Sequence, residues 1–181
     1  MTWFLRKNEK KYLLISTVIF FAVWALCYFG IGSLFSGSLE AGSMEELYRG
    51  ESFLSLFGNN LLHCAVCAAG FGILSVPMLV FDAGSIAVTG VAFRFFGGSF
   101  TQYIGMLLPH CIFEIPALLI SCACGLKLFT ILRSYISGKK EGYKDDLLNI
   151  AKSGIIIAAL VLIAVLVEAF LTPIVAKAII G

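Results

Sequence analysis

The stretch FLSLFGNNLLHCAVCAAGFGILSVPMLVFDAGSIAVTGVAFRFFGGSF, residues 53–100, decides the fold. It is mostly apolar, and a transmembrane helix needs about 20 apolar residues to cross a hydrocarbon core about 30 Å thick. At about 1.5 Å per residue, the stretch is too long for one crossing and too short for three. Polar residues 82–85, beginning with Asp82, interrupt it. We therefore predict a helical hairpin whose helices cover residues 54–81 and 86–96.

The composition of the whole chain agrees with a membrane setting. Hydrophobic residues make up 60% of the 181 residues and charged residues 13%, and the mean hydropathy is +0.97. Soluble domains carry about 25% charged residues, so most of this chain cannot face water. The net charge of +2 is too small to indicate a nucleic acid partner. We predict an integral membrane protein whose first partner is the lipid bilayer.

A second overlong apolar tract contains Pro109. Because proline lacks an amide donor and clashes with the preceding helical turn, we predict a break there, with a re-entrant or interfacial piece before Pro109 and a spanning helix after it. The fold class that follows is an all-α integral membrane protein with about five transmembrane helices in one membrane domain over residues 1–181. The predicted helices cover residues 12–35, 54–81, 86–96, 110–136 and 148–180, with an outer loop at 36–53 and an inner loop at 137–147.

Basic residues predict the orientation in the membrane, because they collect on the cytoplasmic side. Ten of the 13 lysines and arginines flank the first helix or the loop before the last: Arg6, Lys7, Lys10, Lys11, Lys127, Arg133, Lys139, Lys140, Lys144 and Lys152. We therefore predict a multi-pass protein of the cell membrane with a cytoplasmic N-terminus and an extracytoplasmic C-terminus.

The six cysteines lie in apolar helical tracts rather than in exposed loops. Disulfide frameworks are typical of small secreted domains, so we predict free thiols that serve as small packing residues. The alternative is a soft-metal site for copper or zinc, built from Cys64, Cys67 and Cys124 with His63 or His110. The prediction from the sequence is no metal and no cofactor.

Polar and ionisable residues within apolar helices are the candidate functional residues. They form a predicted intramembrane cluster of Asn59, Asn60, His63, His110, Glu114 and Glu168. Such residues usually face the bundle interior and mark either a tie between helices or a pathway. His110 and Glu114 share one helical face, between Pro109 and Pro116. They either join the broken segment to the second helix, through Asn60 or His63, or bind an ion.

Two blocks of sequence occur in order along the chain: NNLLHCAVCAAGFGILSVPMLVFDAGSIAVTG at residues 59–90 and LLPHCIFEIPALLISCACGLKL at residues 107–128. Together they resemble the stage II sporulation protein M family of small multi-span membrane proteins. The positions that match the family are Asn59, Asn60, Pro109, His110 and Glu114. At residue 111 the family more often has glycine, and this chain has cysteine.

The resemblance implies a scaffold that anchors or localises partner proteins of the membrane or cell envelope, such as cell-wall remodelling enzymes. The residues themselves offer no nucleophile and no phosphate-binding loop, so we predict that the protein is not an enzyme. The alternative is a small permease or an ion- or proton-coupled carrier with His110 and Glu114 lining the path. Rows of small residues at four-residue spacing indicate close helix packing, and either candidate is compatible with a homo-oligomer.

Overall fold

A computed structural model describes residues 7–31, 52–138 and 143–180. Throughout these ranges the elements are helices without a strand, which confirms the predicted all-α class. The helices are α1 Lys7–Ala25, continued by a π-helical segment Leu26–Ile31, α2 Phe53–Ala69, α3 Ser75–Phe95, α4 Phe100–Ile136, α5 Tyr143–Phe170 and α6 Thr172–Ile180. Most of the predicted outer loop and residues 139–142 of the predicted inner loop lie outside the described residues.

Four helical stretches in the described ranges are long and apolar enough to cross a membrane: Lys10–Gly30, Ser75–Phe95, Phe100–Ile136 and Tyr143–Val175. The second predicted helix, residues 54–81, begins with α2, which is apolar but has only 17 residues. At about 1.5 Å per residue α2 is about 26 Å long, slightly less than the thickness of a typical hydrocarbon core. The chain is therefore an integral membrane protein, and its described residues form four long apolar helices together with the 17-residue apolar helix α2.

Helix α4 is the centre of the bundle, since it packs against α1, α2, α3, α5 and α6. Close approach to the α2–α3 hairpin requires a glycine on α4. A Cβ atom at Gly125 would lie 2.5 Å from the carbonyl oxygen of Cys67 and would overlap the hydroxyl of Ser75. Absence of a side chain at Gly125 lets the two backbones meet, as small residues do between membrane helices.

The hairpin exists, but the predicted turn at residues 82–85 is wrong. Helix α3 runs unbroken from Ser75 to Phe95, and the chain turns between Gly70 and Leu74 instead. A Cβ atom at Gly70 would lie 2.8 Å from the Cβ of Leu74, and Gly72 has a φ of +73° that favours glycine. The amide of Gly72 donates to the Ser75 hydroxyl over 3.1 Å. These contacts stabilise the turn, whereas Asp82 is accommodated inside a helix.

The predicted break at Pro109 is also wrong, because α4 continues from Phe100 to Ile136 through both Pro109 and Pro116. An interior proline removes one backbone hydrogen bond and costs about 3 kcal/mol. Ending a helix in hydrocarbon would leave several backbone groups unpaired, each at a cost of several kcal/mol. The continuous helix is therefore the less costly arrangement. It begins with a capping box in which Ser99 and Gln102 satisfy each other's backbone amides.

The two ends of the bundle differ in chemistry. At one end the Tyr12 hydroxyl lies 2.7 Å from the Thr130 hydroxyl, and Lys127 pairs with Asp146 over 3.0 Å. These contacts bring together the start of α1, the end of α4 and the start of α5, which carry the predicted cytoplasmic basic residues. At the other end, the rings of Tyr28 and Phe100 lie 5.3 Å apart. Which end faces the cytoplasm stays a prediction.

Candidate functional site: a polar pocket between three helices

A pocket of about 140 Å³ lies between α2, α3 and α4. Its lining combines polar and apolar side chains: Asn60, His63, Cys64, Phe81, Asp82, Ser85, Ile86, Glu114 and Leu118. Ser85 is the middle residue of α3, so the pocket lies about 15 Å along the helix from either end. A polar pocket at the middle of an apolar bundle is the candidate functional site.

A hydrogen bond between His63 and Asp82 joins α2 to α3 within this pocket. His63 Nδ1 lies 2.8 Å from Asp82 Oδ1, and the two side chains are 29% and 9% exposed. With the proton on Nδ1, the imidazole donates to the carboxylate. The short turn at residues 70–74 sets the register that brings the two helices together at this level. The pair explains why an acidic residue is tolerated in the middle of an apolar helix.

The second oxygen of Asp82 is different. Oδ2 is buried, and within the described part of the chain it has no hydrogen-bond partner. Buried polar atoms in folded proteins are almost always hydrogen-bonded, and each exception calls for an explanation such as an ion or a water molecule. The carboxylate is therefore only half satisfied by the protein.

Glu114 of α4 lines the pocket, whereas His110, which lies on the same face of α4, does not. Glu114 lines the pocket, whereas His110 Nδ1 lies 3.4 Å from the hydroxyl of Thr172 on α6. The spacing of the two residues placed them on one face, and their side-chain ligand atoms do lie within 4.8 Å of each other. Glu114 therefore lies at the pocket, and His110 lies next to it at the contact with the start of α6.

The predicted cluster is divided by the structure. Asn60, His63 and Glu114 share the pocket, whereas Asn59 is exposed on α2. Glu168 is half-buried on α5 and is not among the residues that line the pocket. Sequence analysis missed Asp82 and Ser85 as site residues. A single aspartate between apolar neighbours was the available signal, because a buried acid needs a partner on another helix.

The cysteines are all free, as predicted. The Cys67 thiol donates to the carbonyl oxygen of Ser75 over 3.3 Å, and Cys64 and Cys67 are both in the apolar core. Among the described residues, the three side chains whose ligand atoms converge are His110, Cys111 and Glu114 rather than the cysteine set of the soft-metal alternative. All three come from little more than one turn of α4. Cys64 and Cys67 therefore pack as small residues in the apolar core.

Comparisons with known proteins agree with this architecture. The model of the family described as Stage II sporulation protein M matches residues 13–173. An uncharacterized protein of Methanocaldococcus jannaschii is 30% identical over 127 residues, which cover 67% of this chain and 71% of that protein. No solved structure matches the chain. The matched region includes α2 to α5 completely and therefore the whole pocket.

Proposed function

The chain belongs to the stage II sporulation protein M family, and we propose that it acts as a non-enzymatic membrane scaffold. In this role it anchors or localises partner proteins of the membrane or cell envelope, such as cell-wall remodelling enzymes. One observation carries the proposal: polar side chains of neighbouring helices tie the bundle together. The ties are His63 to Asp82 between α2 and α3, His110 to Thr172 between α4 and α6, and Lys127 to Asp146 between α4 and α5.

Such ties favour a fixed bundle over a moving one. Alternating access requires one part of a transporter to move against another around a central site. Here one tie lies near the middle of the bundle and the other two link α4 to α5 and α6. A bundle held in this way suits a platform that keeps the segments between its helices in place for a partner.

The test replaces the segment that a partner would bind. Residues 36–51, which make up most of the predicted outer loop, are exchanged for a Gly/Ser linker of equal length, and residues 139–142 of the predicted inner loop are exchanged in the control. Both tagged variants are cross-linked in native membranes, purified, and compared with the unaltered protein by mass spectrometry. We expect the outer-segment variant to lose specific partners that the control retains.

Two results would contradict the scaffold. One is an identical set of cross-linked proteins for the unaltered chain and both variants. The other is a set of partners in the control that is as depleted as in the outer-segment variant. Melting temperature in detergent, measured on the same preparations, establishes that both variants remain folded.

A second candidate function is a small permease or an ion- or proton-coupled carrier, as a monomer or a dimer. The observation that favours it is the pocket itself, where Glu114 meets Asn60 and His63 at mid-bundle. Reconstitution into liposomes with a pH-sensitive dye tests this candidate. Proton or solute flux that Glu114→Gln abolishes, without loss of folding, would establish a carrier.

A further inference from the structure

Acidic side chains outnumber basic ones in the lining of the polar pocket. The lining contains two carboxyl groups, from Asp82 and Glu114, and one imidazole, from His63. Its other side chains are a thiol, an amide, a hydroxyl and hydrocarbons. The lining therefore holds one acidic side chain more than it has basic ones. A net charge inside an apolar bundle is costly unless it is compensated.

The acidic atom that lacks a partner can be identified. Asp82 Oδ1 is engaged by His63, and Oδ2 is buried without a partner within the described ranges. Asp82 as a whole is only 8% exposed. Its free oxygen is thus withheld from bulk water, although it belongs to a residue that lines the pocket. This atom requires a positively charged or hydrogen-donating ligand.

The remaining donors are of the kind that a hard cation prefers. Asn60 and Glu114 add an amide and a carboxylate oxygen from α2 and α4, and Ser85 adds a hydroxyl from α3. Hard cations such as Ca²⁺ and Mg²⁺ are bound through oxygen atoms. The volume of about 140 Å³ holds an ion with a few water molecules, each of which occupies about 30 Å³ in the liquid.

From this combination we infer that the pocket is a binding site for one small, hard monovalent cation, held by Asp82 and Glu114 with Asn60 and Ser85. One positive charge matches the single acid that the lining holds in excess of its base. The site does not depend on the scaffold function, because it serves equally as a structural ion in a fixed bundle or as a coupling ion in a carrier.

The cluster of His110, Cys111 and Glu114 is the competing position for a cation. Its ligand atoms converge within 4.8 Å, but all belong to one helix, and His110 already contacts Thr172. Its nitrogen and sulfur atoms suit a softer ion such as zinc. The two positions therefore differ in the ion that each would select.

Purified protein in detergent tests the site with sodium as the probe. Melting temperature is measured in sodium, potassium and choline chloride at constant ionic strength, with the total held by choline. We expect a saturable rise with sodium that choline does not give. Asp82→Asn and Glu114→Gln each remove one charged ligand and should raise the half-maximal sodium concentration by about tenfold or more.

Asn60→Ala is the second variant in case the charged substitutions impair folding. It leaves the pair of His63 and Asp82 intact, removes only a neutral ligand, and should also weaken the response to sodium. The control is Asn59→Ala, because Asn59 is the adjacent residue of α2, is exposed and does not line the pocket. This control should respond to sodium as the unaltered protein does.

Several outcomes would overturn the inference. Equal stabilisation by sodium and choline would mean that ionic strength alone acts. An unchanged sodium response in Asp82→Asn and Asn60→Ala would place the ion elsewhere. Stabilisation by zinc but not by sodium, lost in His110→Ala and kept in Asp82→Asn, would assign the cation to the competing cluster. Because this assay needs neither partner nor flux, its failure is distinct from failure of the scaffold.

Discussion

Removal of His63 tests the contact between α2 and α3 most sharply, because the two residues that form this contact, His63 and Asp82, are buried to different degrees. The Asp82 side chain is 9% exposed and that of His63 is 29% exposed. In His63→Ala the carboxylate of Asp82 loses the hydrogen bond on Oδ1, while Oδ2 is already without a partner in the described structure. In Asp82→Ala the buried carboxyl group itself disappears, and the imidazole that remains still reaches the pocket.

The expected costs follow from that asymmetry. A buried acceptor left without a partner costs about 1–3 kcal/mol, and more when it is charged, so we expect about 2–3 kcal/mol for His63→Ala. Each kcal/mol lowers the melting temperature of a chain of this size by about 2–4 °C, which gives a decrease of about 4–12 °C. Asp82→Ala should cost about half as much or less. The double variant should match Asp82→Ala to within about 0.5 kcal/mol.

Thermal unfolding in detergent measures all three variants, in choline buffer so that no small monovalent cation occupies the pocket. Asn59→Ala, an exposed change on the same helix, is the control and should melt close to the unaltered protein. The reasoning is refuted if Asp82→Ala melts below His63→Ala. Strictly additive shifts in the double variant would equally refute it, since they would show that the two side chains do not interact.

Three further predictions concern packing, topology and the thiols. Gly125→Ala should destabilise the bundle by about 1–3 kcal/mol, because the added methyl group would overlap with Ser75. Gly154→Ala is the control and should not destabilise the bundle, because a Cβ atom there meets no atom within 4 Å. Equal melting temperatures of the two variants would contradict the close contact at Gly125. In a cysteine-free variant, a single cysteine introduced at position 43 should react with an impermeant reagent only from outside, and one introduced at position 139 only from inside. Labelling of position 139 from outside would contradict the predicted topology. Alkylation under denaturing, non-reducing conditions should modify all six native cysteines, and a protected pair would contradict the free thiols.

The sequence was sufficient for the class of fold and insufficient for the position of its turns. Apolar length predicts membrane helices because the bilayer imposes it. The residues at 82–85 look like a turn, yet the chain turns at Gly70 to Leu74, where Gly70 permits close contact and Gly72 a positive φ. Pro109 looks like a break, yet α4 continues through it. In both cases the decisive terms are contacts with other helices and the cost of unpaired backbone in lipid, which local sequence does not contain.

The candidate site was accessible from the sequence only in part. The spacing of His110 and Glu114 correctly put them on one face, with ligand atoms within 4.8 Å. The pairing of His63 with Asp82 could not be predicted, because it depends on the register of the hairpin and therefore on the true turn. Asp82 was interpreted as a turn residue, so the buried acid that needs a partner was overlooked.

Liposome flux tests the central claim, that the intramembrane polar residues hold a scaffold together and do not form a transport path. Purified protein and its Glu114→Gln variant are reconstituted separately, with a pH-sensitive dye inside the vesicles and with imposed proton and sodium gradients. The scaffold account predicts that vesicles with either protein dissipate the gradients no faster than protein-free vesicles. Rapid dissipation by the unaltered protein, abolished in a folded Glu114→Gln variant, would contradict the account and make Glu114 a working acid in a pathway.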